Sequence, residues 1–133
     1  MNGMTIDLME DATVRAFIIA ARRDRYLLFL GDPKKRAKIR GRLHHCHDFD
    51  ARYATAFPST VDIPKLLRSH GAGATCHVIS GSRGIDGQEM PIEEAVAETD
   101  SADSGSLLCC VPGRLAFYIG ESGEQRLLLW RDC

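Results

Sequence analysis

The stretch from Ser106 to Arg131, SLLCCVPGRLAFYIGESGEQRLLLWR, constrains this chain most, because it sets three apolar runs between two turn signals. The first run, 107–111, stops at Pro112-Gly113-Arg114, where a fixed φ is followed by a residue that accepts φ > 0. The second run is 115–119, the second turn 120–124, and the third run 126–130. The pattern predicts a three-stranded antiparallel meander. Its apolar residues stand side by side rather than in strict alternation, so both sheet faces need cover. Leu108, Cys110, Phe117, Ile119, Leu128 and Trp130 are the expected core contributors.

The cover must come from upstream. Residues 1–12 carry no periodicity and read as a flexible lead-in. The run 14–20 is rich in β-branched and aromatic residues and reads as an extended segment or edge strand, because a single helix from Val14 to Leu30 would put Arg25 inside its apolar stripe. A helix from about Arg22 buries Tyr26, Leu27 and Leu30 and ends at Gly31. Asp32-Pro33 then opens a helix running to about His47, with Ile39, Leu43 and Cys46 inward and Lys34, Lys38, Gly41 and His45 outward. A short helix over 62–70, a strand over 75–80 and a helix over 91–98 complete the set, with a glycine-bearing loop at 81–88.

Helical runs followed by a cluster of strands favour an α+β fold: an N-terminal helical layer packed on a mainly antiparallel sheet of about four strands, ending in the meander. The 133 residues suffice for one core, and the expectation is one domain over 1–133. The longest early apolar run, Ala16 to Ala21, is far shorter than a membrane span and lacks the flanks of a secretion signal. Five cysteines at irregular spacing suggest no disulfide framework, and the chain reads as cytoplasmic, with no membrane contact.

Charge is unevenly spread. Thirteen of the seventeen Lys/Arg lie in residues 1–70 beside eight of the eighteen Asp/Glu, leaving four basic against ten acidic residues in 71–133. The excess is concentrated in 22–42, where nine basic residues meet only Asp24 and Asp32. Lys34, Lys35, Lys38, Arg40 and Arg42 are therefore candidates for binding a polyanion, although aromatic interleaving is sparse and no nucleic-acid motif is present.

Three other constellations carry potential chemistry. In HHCHDFD, a continuing helix would set His44 beside His47 and Asp48, so that His44, His47, Asp48 and Asp50 could hold a divalent transition metal. Such a site would support a hydrolase, with Arg52 stabilising developing negative charge. A solvated helix end, where histidine complements the dipole, explains the same residues without an ion. Cys76 is next to His77, but adjacent strand residues face opposite ways, which makes a poor thiol–base pair. The loop SGSRGIDGQEMP resembles neither phosphate-binding fingerprint, and its acids would repel an anion.

The residues thus point to a small soluble, non-enzymatic binding or regulatory module with a protein partner or a second copy of itself as its target, and no cofactor beyond the possible metal. Metal-dependent hydrolysis and nucleic-acid binding through 22–42 are the alternatives.

Overall fold

The computed structural model describes residues 6–102, 104–121 and 125–132. Among them are α1 (Leu8–Phe17), α2 (Ala20–Leu30), α3 (Arg36–Arg42), β1 (Ala54–Ala56), α4 (Ile63–Ser69), β2 (Thr75–Ser80), β3 (Glu89–Pro91), α5 (Ile92–Ala102), β4 (Ser106–Val111), β5 (Leu115–Ile119) and β6 (Arg126–Trp130). The strands form one antiparallel sheet in the order β1-β6-β5-β4-β2-β3. Helices α1–α3 cover one face and α4–α5 the other. The α+β class and the C-terminal meander are as the sequence predicts.

The meander is central because its strands are apolar on both sides. Every residue of β5 is buried; Ala116 and Tyr118 join the α1–α3 core, while Leu115, Phe117 and Ile119 join the α4–α5 core. Of the expected core residues, only Trp130 remains half-exposed. At the first turn Gly113 has φ +70° and the Arg114 N–H donates to the Val111 carbonyl, the arrangement that Pro-Gly encodes. Residues 122–124 of the second expected turn lie outside the described residues.

The N-terminal layer departs from expectation in three places. Residues 8–12 are helix rather than lead-in, and 14–17 are helix rather than strand; Met1 to Thr5 lie outside the described residues. The Asp7 carboxylate accepts from the N–H groups of Met9 and Glu10, and Thr13, Val14, Ala16 and Phe17 then bury one helical face. Cap and burial outweigh the local β preference of VRAFII. Only Ile18 is extended; it bridges Phe49, and the Ile19 N–H reaches the Asp48 carbonyl. α2 consequently starts at Ala20, two residues before the expected position.

The third departure is the helix expected over 33–47. Asp32 does organise a turn, accepting the Lys34 N–H on its side chain and the Lys35 and Arg36 N–H groups on its carbonyl, but α3 spans only Arg36–Arg42. A single 3-10 turn follows at 43–45, and Cys46 is extended. Tyr118 intercepts the chain here: its hydroxyl donates to the Leu43 carbonyl at 2.5 Å and accepts from the Cys46 N–H at 3.0 Å. Burial pushes this phenol up to about 12, so it stays protonated and can do both. Gly105 presses on the same Leu43 carbonyl, where a Cβ would come within 1.7 Å of the oxygen.

Two edge strands, β1 and β3, fall where the sequence reads as loop. Each has three residues, too few for periodicity to show, and each is aligned by its partner: Ala54 opposite Leu129, Cys76 opposite Met90. α5 runs to Ala102, beyond the expected end at 98.

Candidate functional site

α3 divides its basic residues between two environments. Its inward stripe contains Arg36, Ile39, Arg40 and Leu43 at helical spacing, so two guanidinium groups are carried against the sheet with the apolar side chains. The Arg36 guanidinium grips the Glu10 carboxylate at two oxygens, both 2.7 Å away, and the Asp86 carboxylate at 2.8 and 3.0 Å. Arg40 donates to the carbonyls of Ser80 and Gly81 and lies 3.4 Å from Asp86. His77, on β2, completes the cluster with Nε2 2.6 Å from Glu10 Oε2.

This cluster ties α1, α3, β2 and the 81–88 loop together. Glu10 is only 1% exposed, so its charge depends on the cations around it. Burial works against protonated His77, but the hydrogen bond and charge of Glu10 prevail and hold its pKa above the ordinary imidazole value. The Arg36 guanidinium is likewise desolvated, yet Glu10 and Asp86 drive its pKa further up. Each ionised group has its counter-ion, and the forked geometry of Arg36 fixes the orientation of α3 to α1.

Beside the cluster, Asp7, Met9, Gly73, Thr75, Cys76, His77, Glu89 and Cys110 line a cleft of about 290 Å³. Its polar lining is mainly acidic, with Asp7 3.9 Å from His77 Nε2 and Glu89 accepting a hydrogen bond from Thr75. Cys76 and His77 face opposite sides of β2, as strand geometry requires: the thiol joins the α4–α5 core while the imidazole meets α1.

A second buried polar group lies between α2 and the chain after α3. Tyr26 donates to Asp48 Oδ2 at 2.6 Å, and Arg42 donates to the same oxygen at 2.9 Å. Burial alone would raise the Asp48 pKa, but these two donors lower it; burial raises the Cys46 thiol beside them.

The expected metal ligands are thereby separated. The helix that would have set His44 beside His47 and Asp48 ends at Arg42. His44 is close to the Gly105 N–H and Glu121, His47 is exposed, Asp48 is held by Tyr26 and Arg42, and Asp50 is clamped by Arg52, which lowers its pKa to about 2. Among the described residues, no three His, Cys, Asp or Glu side chains are grouped to hold one ion.

The polyanion candidates also separate. Arg40 and Arg42 are used within the fold, whereas Lys34, Lys35 and Lys38 are exposed. Lys35 and Lys38 stand 5.5 and 5.6 Å from the centre of the half-buried Phe29 ring, and Arg25 stands 5.7 Å from it. Leu28 beside them is 48% exposed. Among the described residues, none of these three cations has a carboxylate within ion-pair distance. The outer face of α2–α3 is thus an aromatic platform ringed by uncompensated positive charge.

On the far side of the sheet, α5 carries Glu93, Glu94, Glu98 and Asp100, all exposed. Glu93 pairs with Arg68 and Asp100 with Arg126. Among the described residues, no helix is long and apolar enough to cross a membrane. No protein-family model matches the chain, and comparison with curated proteins and with solved structures finds no match either.

Proposed function

We propose that this protein is a binding module whose α2–α3 face docks an acidic protein surface, and that a second copy of the chain supplies that surface through α5. The observation that carries this reading is the ring of Arg25, Lys35 and Lys38 around Phe29 without a carboxylate among the described residues, directly beside Arg36, Arg40 and Arg42, each of which has one. Like charges held together are costly until an anion arrives, and an aromatic–cation cluster next to an exposed leucine has the composition of an interface hot spot. Glu94 and Glu98 offer the complementary charge from the opposite side of the sheet. A basic face meeting an acidic one is a head-to-tail contact, which builds open chains or rings rather than a two-fold dimer.

Sedimentation velocity at low and high ionic strength tests this. Association at low salt that dissolves at high salt is expected. Lys35→Glu/Lys38→Glu and Glu94→Lys/Glu98→Lys proteins should each be monomeric and should pair when mixed. A salt-insensitive monomer that also fails to pair as the charge-swapped mixture contradicts the proposal. The same lysine variant serves the nucleic-acid alternative: if the wild type stays monomeric but binds oligonucleotides, and the variant does not, the partner is a nucleic acid.

A further inference from the structure

The cleft beside His77 has two cysteines in its wall, and strand register brings them together. The β2–β4 ladder ends at His77 paired with Cys109, and the same register continued by one residue would set Cys76 against Cys110. Directly opposed residues in an antiparallel pair have Cα atoms about 4.5 or 5.5 Å apart, and both separations lie within the range that a disulfide spans. The two thiols share one face: both belong to the α4–α5 core, where the Cys110 thiol donates to the Leu108 carbonyl at 3.8 Å. Cys109 points to the other core. The register of β4 against β5 shifts by one between Cys109 and Val111, a bulge that leaves Cys110 without a β5 partner and re-aims it. Cys76 is 2% and Cys110 8% exposed, yet both border the cleft, so a small reagent can reach them.

We infer that Cys76 and Cys110 form a dithiol modification site that a hydroperoxide entering this cleft converts to a disulfide. The Cys110 thiolate attacks one peroxide oxygen; the O–O bond breaks, and the departing hydroxide takes the thiol proton to become water. The sulfur is then a sulfenic acid. The Cys76 thiolate attacks that sulfur, the S–S bond forms, the S–O bond breaks, and a second water leaves with the Cys76 proton. Two thiols lose two electrons and hydrogen peroxide gains them. The neighbouring Cys76 and burial both push the Cys110 thiol above its ordinary pKa, so the thiolate is scarce at neutral pH and the reaction accelerates as pH rises.

Treatment of the native protein with hydrogen peroxide at mildly alkaline pH tests the inference by intact mass and disulfide mapping. The expected product has lost two hydrogen masses, maps to a Cys76–Cys110 bridge, and returns to the dithiol with a reductant. Cys109→Ser should leave the bridge unchanged, whereas Cys110→Ser should abolish it. The mapping on the wild type stands even where a serine variant folds poorly. Accumulation of oxygen adducts on either cysteine without a bridge, or a bridge between any other pair, overturns the assignment.

Discussion

The two faces of the sheet solve burial differently. Under α4 and α5 the core is Ile63, Leu67, Val78, Ile92, Ala95, Leu108, Phe117 and their neighbours, with the hydroxyl pair Ser80–Ser106 but no ionised side chain fully buried among the described residues. Under α1–α3 the apolar core is of similar extent but encloses Glu10 and Asp48, each held by arginine. Apolar packing is non-directional and mainly sets how much surface leaves water. Forked guanidinium–carboxylate contacts set direction as well, because two parallel hydrogen bonds fail together when a helix slides or turns. The N-terminal face therefore has a latch and the other face has a filling. The latch also consumes the inward arginines of α3, while the outward Lys35 and Lys38 rest over Phe29 without a carboxylate partner among the described residues.

Breaking the filling should give the largest effect. Phe117 is fully buried at the middle of β5, and Phe117→Ala should lower unfolding free energy by about 4 kcal/mol in urea denaturation, from lost burial and the cavity left behind. Breaking the latch comes next. Glu10→Ala strands Arg36 and His77 beside an apolar core, and a loss of about 3 kcal/mol is expected in the same assay. A Glu10→Ala protein as stable as the wild type would show that Asp86 alone suffices for Arg36.

A smaller effect sharpens the contrast through pH. The folded pKa of His77 is raised, so the contribution of the protonated imidazole is fully present below the unfolded value of about 6.5 and is lost as pH rises through the folded value. The melting-temperature difference between wild type and His77→Gln should accordingly shrink as pH increases from neutral into the alkaline range. A difference that grows with pH would mean that His77 is buried neutral. No such trend is expected for Phe117→Ala.

The filling was largely legible in the sequence, and the latch was not. Adjacent apolar residues in β4, β5 and β6, punctuated by Pro112-Gly113, announce strands buried on both sides, and Leu108, Phe117 and Ile119 are placed as predicted. The latch joins residues 26, 50 and 67 positions apart, a separation for which no spacing rule exists. One local signal was present: Arg36 and Arg40 share the stripe of Ile39 and Leu43, so naming Arg40 among the polyanion candidates overlooked that this stripe turns inward. α1 was hidden because its decisive residue, Asp7, is a cap in a stretch without periodicity. The metal reading required a helix through Asp48, and what ends that helix is Tyr118, 75 positions from the Leu43 carbonyl that its hydroxyl satisfies.

Hydrogen exchange, followed by mass spectrometry on wild type and Glu10→Gln under native conditions, tests the division between latch and filling most directly. This substitution keeps the shape of the side chain while removing the charge that Arg36 and His77 share. Faster exchange confined to 8–17 and 36–42, with α5 and the β4–β5 ladder protected as in wild type, is the predicted result. Unchanged exchange throughout, or acceleration spread equally over α5 and the sheet, would contradict it.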